Sequence, residues 1–226
     1  MSLTFNLSEL SIETRELISD KLKVDANEDA NASARFFARK QTTPKKWVYP
    51  YRVHGDRIAL PMAWALRHVK NASRRPRSEF TQVSYKYLAT LRTAQTAIKK
   101  EALVNLNKRG TIVISAFPGF GKTVTSISLA KKTGMKTLVL VNKVILLAQW
   151  IDSVEQFTDL KRNKGVVKVT PPSKSQRESE SKMEKWRIKS KNASFMVMNA
   201  LTVGKLPCDF FKDVGCLIVD ECHQIM

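Results

Sequence analysis

The chain has 226 residues, and its 39 lysines and arginines against 20 aspartates and glutamates give a formal net charge of +19. Hydrophobic residues make up 43% of it, enough for a folded core, which excludes a wholly disordered chain. A surface this basic suits phosphate-rich partners, and the alternative is a merely solvated basic face.

Nothing in the sequence indicates a membrane span or a secretory signal. No run of 18 apolar residues occurs, and the N-terminus has early acids instead of a basic region before an apolar one. The three cysteines are an odd number within the last 20 residues, so they do not form a disulfide framework. We therefore expect a soluble, intracellular protein without a membrane partner.

We expect residues 1–80 to form a small N-terminal accessory domain of α+β type. The leucine and isoleucine spacing predicts an amphipathic helix over Leu7–Lys23, which a polar linker follows. Lys45–His68 then contains a strand over Arg57–Leu60 and a short helix after Pro61.

Positive charge is concentrated in the middle of the chain. Residues 31–110 hold 18 basic and three acidic residues, a net charge of +15. Trp47, Tyr49 and Tyr51 lie within the most basic stretch, where they either stack on unpaired bases or are buried in a small core. The sequence leaves both interpretations open.

Residues 81–226 alternate helices with buried strands, which predicts a parallel α/β sheet covered by helices on both faces. We expect helices over Thr93–Asn107, Lys122–Lys132 and Val144–Phe157, and a charged segment over Ser173–Lys191. The predicted strands are Thr111–Phe117, Thr137–Val141, Val166–Val169, Phe195–Met198 and Cys216–Val219.

A glycine-rich segment lies between the first of these strands and its helix. It reads Ala116-Phe117-Pro118-Gly119-Phe120-Gly121-Lys122-Thr123. Small residues allow backbone N–H groups to surround phosphate oxygens, and a following Lys and Thr suit phosphate and Mg²⁺. The segment therefore predicts a phosphate-binding loop for ATP and Mg²⁺, and the alternative is an ordinary turn.

A pair of carboxylates follows the last predicted strand, in the sequence Asp220-Glu221-Cys222-His223. A phosphate loop needs a carboxylate at a strand end to hold the metal and orient the attacking water. We predict that Asp220 binds Mg²⁺ together with Thr123, and that Glu221 polarises the water. In isolation such a pair is more often a solvated turn.

These motifs together resemble the first RecA-like domain of superfamily 2 helicases, in the DExH group. The amino-acid sequence around the loop is most similar to that of helicases of large cytoplasmic DNA viruses, related to the poxvirus transcript-release helicase. The resemblance covers about Leu91–His223 and implies that Gln95, in Leu-Arg-Thr-Ala-Gln, reads the adenine edge. It also implies a role in viral transcription or DNA processing, in the host cytoplasm or the virion.

The resemblance further implies contacts with DNA or RNA. Asn142, Lys143 and Gln149 occupy the element after the second strand that contacts the nucleic-acid backbone in that family, whereas Leu146, Leu147 and Trp150 suit core packing. Asn199–Thr202 matches a further strand-end element. In the basic loop, Arg74, Arg75 and Arg77 are additional candidates for phosphate contacts.

In the superfamily a second RecA-like domain supplies an arginine to the γ-phosphate. No motif of that domain follows His223, so we expect it on a separate or missing chain, and we expect the isolated chain to bind ATP-Mg²⁺ but hydrolyse it slowly. Two alternatives remain. One is a non-catalytic nucleic-acid-binding module with ATP as a structural ligand, and the other is a different P-loop ATPase such as a hexameric motor.

Overall fold

The structure is a computed structural model that describes residues 2–25, 47–173, 176 and 179–224. The chain divides into two units, one comprising Met1–Arg74 with Asn105–Ile112 and the other Arg75–Val104 with Val113–Met226. No helix in the described residues is both long and apolar enough to cross a bilayer.

The first unit is built on two small antiparallel sheets. Strands β1 (Ser2–Asn6), β5 (Arg57–Pro61) and β4 (Arg52–His54) form one sheet in that order, and β2 (Val24–Asp25) pairs with β3 (Trp47–Val48). Helices α1 (Ile12–Lys21) and α2 (Met62–His68) complete it. The core comprises Leu10, Ile18, Leu22, Ile58, Leu60 and Ala65.

Helix α1 is shorter than the predicted helix because two local signals break the first turns. Leu7–Glu9 forms a separate 3₁₀ turn, and the Ser11 hydroxyl then caps α1 by accepting a hydrogen bond from the Thr14 amide at 3.2 Å. The predicted linker and five of the basic residues before Trp47 lie outside the described residues, apart from Val24–Asp25 in β2.

Helix α3 (Thr93–Arg109) ends at Gly110, whose φ of +74° is the left-handed conformation that terminates helices. The Arg74 guanidinium donates hydrogen bonds to the carbonyls of Leu106 and Asn107, at 3.1 and 2.7 Å. The Leu106 carbonyl also accepts from the Gly110 N–H at 2.8 Å, and both carbonyls lie in the last turn of α3, so Arg74 caps its C-terminus.

The second unit contains a four-stranded, wholly parallel sheet in the order β7-β8-β6-β9. Its strands are β6 (Thr137–Val141), β7 (Val166–Val169), β8 (Phe195–Asn199) and β9 (Cys216–Val219). Its helices are α4 (Lys122–Thr133), α5 (Val144–Phe157) and α6 (Glu180–Lys191). The predicted α/β class is confirmed.

Both faces of this sheet are covered. On one face, α4 and α5 contribute Ile127, Trp150 and Val154 to a core with Val139 and Phe195. On the other face, Trp186 of α6 packs with Phe210 and the fully buried Met196 and Met198. Continuously apolar strands are what a sheet buried on both faces requires.

One predicted strand is wrong. Thr111–Phe117 forms no strand, and β9 lies at the edge of the described sheet. The stretch is divided between the two units, and the Val113 side chain is 82% exposed. β-branched residues favour a pleated surface only where a partner strand and a core are available.

A buried ion pair ties together the starts of two neighbouring strands. Lys136, just before β6, is 1% exposed, and its ammonium group lies 2.7 Å from an Asp213 carboxylate oxygen and 3.0 Å from the Lys191 carbonyl. Asp213 lies just before β9. The pair therefore fixes the two strands whose opposite ends lead to Asn142 and Asp220.

Candidate nucleotide-binding site

The glycine-rich segment forms a tight loop that opens α4. Gly119 and Gly121 have φ values of +79° and +93°, and helix α4 begins at Lys122 directly after Gly121. The first N–H groups of a helix lack partners within it and carry partial positive charge. The loop therefore presents donors suited to a phosphate.

Two side chains brace this loop, one from Arg92 just before α3 and one from Gln95 in its first turn. The buried side-chain amide of Gln95 donates to the Phe120 carbonyl at 2.7 Å and accepts from the backbone N–H of Arg92 at 2.8 Å. The Arg92 guanidinium also donates to the carbonyls of Gly119, at 3.3 Å, and Phe120. The packing is so close that a Cβ on Gly121 would collide with the Gln95 amide.

Arg92 was missed as a functional residue. Its place in the motif with Gln95 signals importance, but only the folded geometry puts it on the loop carbonyls. The adenine contact expected of Gln95 stays a prediction, because its amide here holds the loop.

Lys122 is oriented toward the loop. Its ammonium group donates to the Ala116 carbonyl at 3.1 Å, and so it spans the segment in which phosphate is expected. Pro118 and Gly119 are exposed, Phe120 is 6% exposed, and space above Gly119 is open. Open space beside unpaired helix N–H groups suits a phosphate group, and the Thr123 hydroxyl and Asp220 carboxylate are oxygen ligands of the kind Mg²⁺ requires.

Asp220 lies at the carboxyl end of β9 and is held in two ways. Its backbone N–H donates to the Leu140 carbonyl at 2.9 Å, and one carboxylate oxygen, Oδ2, accepts from the indole N–H of Trp150 at 2.8 Å. Trp150 is 3% exposed, so the predicted core packing is correct but incomplete. Sequence reasoning missed this polar role, for which the pattern gives no signal.

Glu221 adopts an unusual backbone conformation. Its φ of +49° is in the left-handed region, which is uncommon for a residue with a long side chain. Its carboxylate lies 3.5 Å from His223 Nδ1, and both side chains are accessible to solvent. Among the described residues, no hydrogen bond or ion pair joins the loop to Asp220 or Glu221.

Two of the predicted nucleic-acid contacts, Asn142 and Lys143, lie at the same edge of the sheet as Asp220. Asn142 follows β6, and its carbonyl accepts a hydrogen bond of 3.3 Å from the side chain of Asn199, the last residue of the neighbouring β8. Lys143 and Gln149 are exposed at the start and on the outer side of α5. Their contact with nucleic acid stays a prediction.

The three arginines of the basic loop all bond to protein groups. Arg74 caps α3, and Arg77 donates to the Thr133 carbonyl. Arg75 pairs with Glu79 at 2.7 Å, and its guanidinium lies 4.5 Å from the centre of the Phe80 ring. These contacts give each arginine a structural role, and the nucleic-acid role stays a prediction.

The aromatic residues of the first unit have different environments. Trp47 and Tyr49 are 40% and 51% exposed, whereas Tyr51 packs against the core. The Lys23 ammonium group lies 5.2 Å from the centre of the Trp47 ring. Exposed aromatic rings next to cations are compatible with base stacking.

A glycine-rich loop opening a helix on a parallel sheet, with an Asp-Glu pair after another strand, defines a RecA-like α/β domain of the helicase type. The fold agrees with the crystal structure of the UvsW helicase from bacteriophage T4. That match has a TM-score of 0.57 and covers 96% of this chain and 78% of that chain. At 15% identity it is a likeness of fold alone.

Residues 84–226 match the family described as "Type III restriction enzyme, res subunit", and the chain belongs to this family. It is also 35% identical over 150 residues to the putative helicase 161L of invertebrate iridescent virus 6. It is 33% identical over 197 residues to the putative helicase 109L of invertebrate iridescent virus 3. The resemblance to superfamily 2 helicases of large DNA viruses is confirmed.

These alignments cover 66% and 80% of this chain. The chain spans only 31% and 55% of the lengths of those two relatives.

Proposed function

We propose that this chain is the ATP-binding part of a nucleic-acid-dependent ATPase of the DExH helicase group, acting in viral transcription or DNA processing. The observation that carries the proposal is the loop that opens α4 with Lys122 turned across it, braced by Gln95 and Arg92.

The residues divide the chemistry between them. The backbone of Gly119–Gly121 and the first turn of α4 bind the phosphates, and Lys122 contributes a point charge at the β- and γ-phosphates. Thr123 and Asp220 hold Mg²⁺, which when bound neutralises charge on the phosphates. Glu221 orients the attacking water and accepts its proton.

DNA or RNA is the proposed partner. The exposed Lys143 and Gln149 face solvent at the strand-end edge where Asn142 and Asp220 also lie, so nucleic acid bound there would adjoin the metal ligand. The arginine that stabilises the transition state in the superfamily belongs to a second RecA-like domain. We therefore expect slow hydrolysis by the 226-residue chain alone.

The test is the rate of ATP hydrolysis by the purified chain, with and without single-stranded DNA or RNA. We expect a low rate that Lys122→Ala abolishes and that Lys132→Ala, an equal loss of charge at the exposed other end of α4, leaves unchanged. A rate that is insensitive to Lys122→Ala would contradict the proposal.

The second candidate is a non-catalytic module, favoured by the exposed Trp47 and Tyr49 of the first unit. It predicts that Lys122→Ala leaves the affinity for single strands intact and that no condition produces turnover.

A further inference from the structure

We propose that Trp150 is a positioning residue for the magnesium ligand Asp220, an inference that rests on the proposed function. The indole N–H donates to only one carboxylate oxygen, Oδ2, at 2.8 Å. This bond fixes the orientation of the carboxylate, and the second oxygen, Oδ1, remains available to bind a cation.

The geometry of Asp220 supports a fixed carboxylate. Its backbone is anchored to β6 by the bond from its N–H to the Leu140 carbonyl, and the next residue, Glu221, turns the chain with a φ of +49°. The side chain would still rotate about two bonds. The Trp150 bond removes that freedom, and a ligand that is already fixed loses less entropy when the metal binds.

The donor is itself rigid. Trp150 is 3% exposed and packs in the core between α5 and the sheet, so the indole ring cannot follow a displaced carboxylate. A buried indole N–H needs an acceptor, and most acceptors in a sheet core are backbone carbonyls. Here the acceptor is the side chain that the site needs for its cation.

The position of Trp150 on α5 adds a consequence. The same helix begins next to Asn142 and Lys143 and carries Gln149, the predicted nucleic-acid contacts. A shift of α5 when a strand binds would act directly on the Asp220 carboxylate through the indole. Because Gln149 and Trp150 are adjacent on α5, one peptide bond and one hydrogen bond connect Gln149 to the Asp220 carboxylate.

The test separates the hydrogen bond from packing. Trp150→Phe removes the donor and leaves a small cavity, whereas β-(3-benzothienyl)alanine at position 150 keeps the shape of the ring and replaces the N–H by sulfur. Trp186→Phe is the matched control, because the Trp186 indole N–H also makes one hydrogen bond, to the Thr170 carbonyl at 3.0 Å. That bond lies on the opposite face of the sheet.

The measurement is the affinity of the 226-residue chain for the fluorescent nucleotide mant-ATP, in excess Mg²⁺ and in EDTA. The dissociation constant in EDTA divided by that in excess Mg²⁺ (the Mg²⁺ ratio) reports the contribution of the cation to binding. Loss of a residue that orients a metal ligand typically weakens metal binding 10- to 100-fold, so we expect both Trp150 variants to lower this ratio by about tenfold or more. Affinity in EDTA should stay as in the wild type.

A double-mutant cycle adds a second readout. In an Asp220→Asn background the Mg²⁺ ratio is already lost, and Trp150→Phe should lower it no further. Two results would overturn the inference and leave the proposed function standing. One is a wild-type Mg²⁺ ratio in the benzothienyl variant, and the other is an equal loss of mant-ATP affinity with and without Mg²⁺. If the wild-type chain binds no mant-ATP in either condition, the proposed function fails and the inference fails with it.

Discussion

Replacing Asp213 by Ala should destabilise the second unit strongly, because it leaves the Lys136 ammonium group buried with one carbonyl partner. The Lys136 side chain is 2% exposed and the Asp213 side chain 30% exposed. Removing one member of a buried pair costs about 3–5 kcal/mol, and the partial exposure of Asp213 places the loss near 3 kcal/mol. With a urea m-value of about 2 kcal/mol/M, the midpoint falls by about 1.5 M.

Urea unfolding followed by far-UV circular dichroism measures this shift. Removing both charges with Lys136→Met and Asp213→Ala should recover most of the loss, because no unpaired charge is then buried. Asp209→Ala is the control, since its pair with Lys212 is 2.8 Å long but largely exposed, and it should leave the midpoint unchanged. A wild-type midpoint for Asp213→Ala, or a double variant as unstable as the single one, would refute the reasoning.

Two further predictions follow from local geometry. Gly121→Ala should weaken nucleotide binding at least tenfold and lower thermal stability. Position 121 has a φ of +93°, which a residue with a Cβ rarely adopts, and the new Cβ would displace the Gln95 amide. Calorimetric titration and a thermal melt check this. Burial raises the pKa of the Cys216 thiol, so less thiolate forms at pH 8. Iodoacetamide should therefore label the exposed Cys208 and Cys222 at pH 8 and reach Cys216 only after denaturation. Mass spectrometry measures the labelling of each cysteine. Labelling of Cys216 in the native protein as fast as that of Cys208 and Cys222 would contradict this prediction.

The strands of the second unit were predictable because their apolar runs are long enough to be buried on both faces. β6, β7 and β9 have the predicted bounds, and β8 extends one residue further, to Asn199. The apolar pattern failed at Thr111–Phe117, since residue type indicates a preference for strand conformation but does not supply a pairing partner.

At the candidate site, the sequence predicted which residue types matter but not which atoms meet. The spacing of glycines before Lys122 is a local property, and the loop and helix form where predicted. The bonds from Arg92 to the loop and from Trp150 to Asp220 join residues that are distant along the chain, so only the fold brings them together. The same is true of the bonds that engage Arg74.

Binding of Mg²⁺-ATP to the purified chain, followed by isothermal titration calorimetry, tests the central claim most directly. The account predicts saturable binding that Lys122→Ala weakens by at least tenfold and that Lys132→Ala leaves at the wild-type value. Equal affinities for the three proteins, or no binding to the wild-type chain, would contradict the assignment of the loop before α4 as a phosphate-binding site.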